Sequence, residues 1–387
     1  MKLEAGMDEI MTESKKKKVF IVAGARPNFV KVAPIMRAMA ASPSLRPILV
    51  HTGQHYDHNM SQSFFDELNI PRPDVFLEVG SGSHAAQTAA VMLAFEKAVL
   101  ELKPDLVLVV GDVNSTLACS LVSAKLMIPV AHVEAGLRSF DRSMPEEINR
   151  VLTDSISSFL FITEPSGRDN LLREGVAEDN IFFVGNVMID TLAENARRVR
   201  NGESARPLGD FSGDYAALTL HRPSNVDDPA TFSRIISALE AAAAEAPVFF
   251  PAHPRTVNNI RRFGLDDHFA AWDGASTPAG KIFIMEPLGY LEFLSLTMNA
   301  KIVLTDSGGI QEETTWLGVP CATIRENTER PVTVDIGTNI LVGSDAGKIS
   351  AAAAAALRGD WKQGRIPELW DGHAAPRIVS KLESLLY

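Results

Sequence analysis

The sequence predicts an α/β protein of two doubly wound Rossmann-like domains that face one another across a cleft. Short β-branched runs alternate with longer stretches of helical periodicity from end to end, which is the pattern of parallel βαβ units. A polar stretch over residues 197–212 interrupts that alternation once, after which it restarts. A strand, an acid and a small-residue loop opening a helix occur in each half, over 109–116 and 303–309. Pro129 and Glu134 follow the first of these, and Pro320 and Glu326 the second. Both loops fall at carboxyl ends of strands, where open α/β sheets bind ligands, and two such edges turned toward each other form a cleft.

The elements follow in order. Residues 1–18 read as a polar N-terminal tail. Lys15 to Lys18 ahead of an apolar run faintly imitate an export signal, but Asp8, Glu9 and Glu13 precede the lysines and Arg26 ends the run. Strands are expected over 19–23, 48–52, 106–110, 130–133, 160–163 and 182–184, with crossover helices over 34–41 and 87–102. The second half opens with strands over 216–220, 248–251, 281–285, 301–304 and 321–324 and closes on an Ala-rich helix over 351–357. The expected domains are 19–187 with 368–387, and 188–367.

The chain's 387 residues are 46% hydrophobic and 22% charged, enough apolar material for packed cores. Its 48 acidic and 37 basic residues give a net charge of -11, which argues against a nonspecific grip on nucleic acid or anionic lipid and leaves room for a local site for a small anion. No apolar run approaches the roughly 20 residues of a membrane span. Cys119 and Cys321 stand in apolar or helix-like stretches, so neither a disulfide framework nor a thiolate metal site is suggested, in keeping with a reducing compartment.

The chemistry-bearing residues cluster at strand ends. Ser307, Gly308 and Gly309 follow a strand and open a helix, where free amides and the helix dipole suit a phosphate or diphosphate, unless Asp306 or Ser307 merely caps the helix. Glu313, one turn in, could accept from vicinal ribose hydroxyls. Arg26, between Gly24-Ala25 and Pro27, and Lys31 on the next helix could meet one anion. His221 ends the first strand of the second half, where it could bind a phosphate oxygen or pass a proton. His51, His55 and His58 have a metal-like spacing, but Gly53 and the turn-like Tyr56-Asp57 argue against a common face, so no metal is expected. Residues 343–350 miss a Walker A loop by one position. Asp112, Glu134 and the Glu146-Glu147 pair lie at strand ends or helix starts of the first half. Carboxylates facing an anionic ligand are electrostatically costly unless one holds or moves a proton, which points to acid/base work.

Taken together these residues resemble the non-hydrolysing UDP-N-acetylglucosamine 2-epimerases, which share the GT-B architecture. GARPNFVKVAPI, TGQHYD, GDVNSTLA, HVEAGLRS, PEEINR, VGNVMIDTL, LHRPSN, PLGYLEF, LTDSGGIQEE and ENTERP occur in that family's order and cover nearly the whole chain after Lys18. The resemblance implies that Arg26, Lys31, His221, Ser307, Gly308 and Gly309 hold the UDP phosphates, Glu313 the ribose, and Leu288 with Phe293 the uracil. It implies that Asp112, Glu134 and Glu146 are the essential acids without saying which takes the proton; we place Asp112 closest to the transfer. UDP is then eliminated across C1 and C2 to give 2-acetamidoglucal and re-added with the opposite configuration at C2, without cofactor or metal. A cytoplasmic homodimer serving polysaccharide synthesis, with a C-terminal helix crossing back onto the first domain, is implied as well. The chain departs from the family at Ala25 and Asn28, where many members have Thr and Glu, and at Pro223 and Ser224, where many have Arg and Glu. Gln54 and His55 match the start of the family's allosteric motif, but Asp57 stands where it has Gln. The alternatives are an epimerase of a modified UDP-sugar, the hydrolysing epimerase, a glycosyltransferase of the same fold, for which no acceptor signature is seen, and a UDP-sugar-binding sensor without catalysis.

Overall fold

The computed structural model describes residues 16–53, 70–274 and 280–387, with residues 26 and 27 described by their backbone alone. The chain divides into two compact units, Met1–Thr191 with Glu368–Tyr387, and Leu192–Pro367. In the first, the strands are β1 (Lys17–Ala23), β2 (Leu45–His51), β3 (Val75–Phe76), β4 (Leu106–Val110), β5 (Val130–Val133), β6 (Phe159–Ile162) and β7 (Ile181–Phe183). They form one parallel sheet in the order β3-β2-β1-β4-β5-β6-β7. In the second, β8 (Ala216–Thr219), β9 (Val248–Pro251), β10 (Phe269–Ala271), β11 (Ile282–Met285), β12 (Ile302–Thr305), β13 (Cys321–Thr323) and β14 (Asn339–Leu341) form a parallel sheet in the order β10-β11-β9-β8-β12-β13-β14.

Each sheet is covered on both faces, so its central strands are continuously apolar, as parallel sheets require. Along β8, Ala216 and Leu218 join a core with Ile235, Phe250 and Leu304, while Ala217 turns to the opposite face with Phe249, Phe283 and Val303. In the first unit, Phe20, Val22, Val50, Val107 and Val109 pack on Val91 and Phe95 of the helix His84–Leu102. Ser83 caps that helix by accepting from the Ala86 amide.

Two expectations are corrected. The crossover helix expected over 34–41 begins at Arg26 and runs to Ala40 with Pro34 inside it. Proline at 34 has no N–H for the carbonyl of residue 30, and the Thr191 hydroxyl takes its place, donating to Val30 O at 2.6 Å. The strands β3, β10 and β14 were not anticipated; all three are two- or three-residue edge strands. β1 also starts at Lys17, inside the expected tail, where Lys17 Nζ pairs with Asp105 at 3.0 Å.

The helix Ala374–Leu386 packs against Arg26–Ala40. Asp190 accepts from the Ala374 and Ala375 amides at 3.0 and 2.7 Å, satisfying donors that a helix start leaves open. Ahead of it, Trp370 is buried and donates from Nε1 to the Thr163 carbonyl at 3.0 Å. Trp370→Ala is expected to destabilise the first unit by about 3 to 5 kcal/mol, read as a lower urea midpoint. A loss under about 1 kcal/mol would mean that the returning segment is not part of that core.

Candidate active site

Each sheet reverses its winding between two central strands, β1 and β4 in the first unit and β8 and β12 in the second. Crossovers leave such a point in opposite directions, so the loops at the carboxyl ends of those strands are left open. Of the sequence's candidates, Lys31 and Asp112 follow β1 and β4, Glu134 and Glu146 follow β5, His221, Ser307, Gly308, Gly309 and Glu313 follow β8 and β12, and Leu288 and Phe293 follow β11.

On the first edge, Asn28 is buried and accepts at Oδ1 from the Gly24 and Ala25 amides at 3.2 and 3.0 Å. Its Nδ2 donates to Val110 O at 3.1 Å, tying the end of β1 to that of β4. A glutamate has no N–H to give Val110, so this departure from the family pattern serves a different local bonding scheme. Lys31, expected with Arg26 on an anion, pairs with Glu134, Nζ to Oε2 at 2.5 Å, with both residues buried. Glu134 has φ 70° and Gly111 has φ 67°; a Cβ on Gly111 would stand 3.2 Å from Lys31 Nζ, so glycine gives the pair its room.

Asp112 bonds Arg150, Oδ2 to Nη1, at 2.5 Å. The same guanidinium reaches Glu147 at 2.8 Å from Nη2 and 3.1 Å from Nε. Burial would raise the Glu147 carboxyl, but the Ser139 amide, Arg150 and the Phe140 amide outweigh it and hold the group below its usual range. Glu147 is thus buried in the network, while Glu146 is exposed in the first turn of the helix Pro145–Ile156. The Asn149 amide donates to Asp112 O at 2.8 Å. Below the edge, His132 meets Gly111 O at 2.9 Å through Nε2 and Asp154 at 2.6 Å through Nδ1. Arg138 completes Asp154 at 2.7 Å.

On the second edge, the helix Gly308–Leu317 starts after Ser307 with no side-chain cap, so neither Ser307 nor Asp306 caps it. Asp306 turns back and accepts from the His221 and Arg222 amides at 3.0 and 2.9 Å. Glu313 is buried one turn along, with the Tyr290 hydroxyl donating to it at 3.4 Å. Burial, then the charge of neighbouring Glu312, pushes its carboxyl up to about 7, with Tyr290 opposing. Leu288 and Phe293 are half-buried against the aromatic cluster of Phe249, Phe283 and Trp272. Leu288, Trp272, Met285 and Glu286 border a cavity of about 490 Å³.

Arg26's side chain, Gln54 and His55 lie outside the described side chains, as does His58. His51 accepts the Gly53 amide at 2.8 Å and stacks on Phe29, and burial lowers its imidazole to about 4, which makes it a neutral packing residue. Among the described residues no cluster of His, Cys, Asp or Glu could hold a metal, and no helix is long and apolar enough to cross a membrane. Asp345, in the near-Walker stretch, caps an ordinary helix through the Lys348 amide. Arg150 and the Asp306 fold-back were not singled out from the sequence, and Asn28 only as a departure from the family pattern. Only Arg150 left a signal there, its helical i,i+3 spacing from Glu147.

A sequence model of the family described as UDP-N-acetylglucosamine 2-epimerase matches residues 37–383. The UDP-N-acetylglucosamine 2-epimerase of Methanocaldococcus jannaschii is 44% identical over 369 residues, covering 94% of this chain and 98% of that one. The UDP-2,3-diacetamido-2,3-dideoxy-D-glucuronate 2-epimerase of Pseudomonas aeruginosa is 41% identical over 372 residues, covering 95% of this chain and all of its own. A crystal structure of the M. jannaschii UDP-GlcNAc 2-epimerase, in complex with UDP-GlcNAc and UDP, has a TM-score of 0.83 at 43% identity and covers 95% of this chain and 99% of that one.

Among the described residues Arg150 is the cation bonded to both Asp112 and Glu147, and Glu147 is almost wholly buried. Arg150→Met is expected to cost about 3 to 5 kcal/mol, because it strands a buried carboxylate. Urea unfolding measures it, and Glu147→Gln in the same background should recover part of the loss. No recovery would mean that the cost lies elsewhere than in the stranded charge.

Proposed function

The chain belongs to the UDP-N-acetylglucosamine 2-epimerase family, and we propose that it interconverts UDP-N-acetylglucosamine and UDP-N-acetylmannosamine without net hydrolysis. The observation that carries this reading is the coupling of two chemistries in one chain. Carboxylates held by dedicated cations stand on one switch-point edge, and an uncapped helix start with His221 and Glu313 on the other.

The C2 proton of the sugar is not next to a carbonyl, so removing it requires departure of the C1 substituent. A carboxylate takes the C2 proton, the C1–O electron pair leaves with UDP, and 2-acetamidoglucal remains. Return of UDP to C1 with a proton delivered to the other face of C2 gives the epimer, and atoms and charge balance. Ser307, the Gly308 and Gly309 amides, His221 and Arg26 receive the charge that grows on the leaving diphosphate. Glu313 takes the ribose hydroxyls, and Leu288 and Phe293 the uracil.

Asp112 is assigned the proton transfer, because its side chain is 29% exposed while that of Glu134 is 2% exposed. Lys31 holds Glu134 in place, and Glu146, exposed on the first turn of its helix, is assigned the proton on the opposite face. A second reading, epimerisation of a modified UDP-sugar, is favoured by the P. aeruginosa relative and by the departures at Ala25, Asn28, Pro223 and Ser224.

Incubation with UDP-GlcNAc in deuterium oxide, followed by proton and phosphorus NMR, tests the proposal. UDP-ManNAc carrying deuterium at C2 with the sugar–diphosphate bond intact is the expected result. Free UDP with ManNAc would show the hydrolysing reaction, and absence of exchange with UDP-GlcNAc but turnover of a diacetamido-uronate would establish the second reading. Asp112→Asn is expected to lower turnover by roughly 100- to 10,000-fold with modest loss of UDP binding; a near-normal rate removes it from the mechanism.

Glu313 gives a pH signature. Its folded value near 7 means that the ligand-free carboxyl is largely protonated at pH 6, whereas ribose hydroxyls donate best to the ionised group. Binding must then expel the proton, so affinity for UDP-GlcNAc should fall by roughly tenfold from pH 8 to pH 6. Calorimetry should find Glu313→Gln weaker and flat over the same range; an equally steep profile in that variant would assign the dependence to another group.

A further inference from the structure

Asp306 is fully buried, and its described partners are three amide N–H donors and the ring nitrogen Nδ1 of His221. Oδ1 lies 2.9 Å from His221 Nδ1 and 3.2 Å from the His221 amide. Oδ2 takes the His221 amide at 3.0 Å, the Arg222 amide at 2.9 Å and Asn225 Nδ2 at 3.2 Å. The amide N–H groups cannot accept, so the one place for a carboxylic acid proton is on Oδ1 facing His221 Nδ1; with three N–H contacts on Oδ2 and a fourth on Oδ1, the ionised carboxylate is the species this nest favours. Burial would raise its pKa, but the His221 ring and the Arg222 and His221 amides hold it below the usual range.

An ionised Asp306 requires a hydrogen on His221 Nδ1. Nε2 then lies on the opposite edge of a ring whose side chain is 55% exposed. A neutral ring of that tautomer turns a lone pair outward, which repels a phosphate oxygen. A ring that bonds both the buried carboxylate and a diphosphate carries both hydrogens.

We propose that Asp306 is a positioning residue that makes His221 a doubly protonated donor, bonded through Nδ1 to the buried carboxylate and through Nε2 to a diphosphate oxygen of the UDP-sugar. The inference rests on the UDP-sugar reading above and adds the origin of the histidine's tautomer and charge. As the C1–O bond breaks, the imidazolium opposes the charge gathering on the leaving group, and it does so without losing its proton.

The other charged groups nearby are committed elsewhere. Arg222, on the same loop, donates from Nε to the Asp306 carbonyl at 2.9 Å. Past the helix Pro223–Val226, Asp227 pairs with Arg255. Arg330 and Glu329 pair at 2.6 Å against Gly308, and Arg330 also reaches Glu312 at 2.7 Å.

Asp306→Asn keeps the shape and can still accept an amide, but it offers an N–H toward Nδ1 and so selects the other tautomer. The expected loss in kcat is roughly 10- to 100-fold, the worth of a hydrogen bond to a charged group. Nitrogen-15 NMR of the ring should show both nitrogens protonated in the wild-type protein saturated with UDP at pH 7.5, and one in Asp306→Asn. In a His221→Asn background the Asp306 change should add little further loss.

Unchanged ring signals in Asp306→Asn, or a full additional loss in the His221→Asn background, would overturn the proposal. Should Asp306→Asn not fold, the wild-type spectrum decides alone, since an unprotonated Nδ1 there contradicts it. Failure of the UDP-sugar reading shows separately, as absence of UDP binding by calorimetry, and the ligand-free ring then still reports whether Nδ1 is the protonated nitrogen.

Discussion

Everything chemical in this chain depends on how two sheets reverse their winding. Where β1 meets β4 and β8 meets β12, crossovers depart in opposite directions, and backbone groups at the strand ends lack a ladder partner. One short polar side chain in each unit solves this. Asn28 takes two amides from the loop after β1 and gives an N–H to the end of β4. Asp306, after β12, takes amides from the loop after β8, while Asn225 bridges it to the end of β13 through the Ile324 carbonyl. The stitch is the same but the residue differs: the first needs both a donor and an acceptor, the second only an acceptor. Because the second carries charge, it can also act on the histidine beside it.

The first edge handles its charges by a related logic. Glu134 has Lys31, and Asp112 shares Arg150 with Glu147. Below them Asp154 stands between His132 and Arg138. Buried carboxylates are tolerated because each has a cation at bonding distance, and breaking a pair costs more than the pair contributes. Glu134, Asp112 and Glu147 are therefore held in fixed geometry by Lys31 and Arg150.

How much of this was legible in the sequence divides along physical lines. Central strands such as β4, β5 and β9 lie where the apolar runs placed them, because burial on both faces writes a continuous hydrophobic signature. β3, β10 and β14 left no such trace, since an edge strand of two or three residues needs little burial. Pro34 read as a helix start because proline is usually found there, and only a distant hydroxyl made it tolerable inside. The candidate residues were visible as strand-end chemistry. Their partners were not, because Asn28 meets Val110, and His221 meets Asp306, across more than eighty positions of chain. Glu147 shows the same limit: next to Glu146 in sequence, it is told apart only by the face of the helix that each occupies.

The return of residues 368–387 to the first unit has a consequence for biosynthesis. Trp370 is buried in that unit and the helix Ala374–Leu386 lies against Arg26–Ala40, so the first unit is completed only after residues 192–367 have been made. The intervening unit is contiguous from Leu192 to Pro367 and holds every strand of its own sheet. Vectorial synthesis ordinarily favours the N-terminal body; here the order of completion is inverted. Until residues 368–387 have been made, the first unit lacks both Trp370 and the helix that packs against Arg26–Ala40.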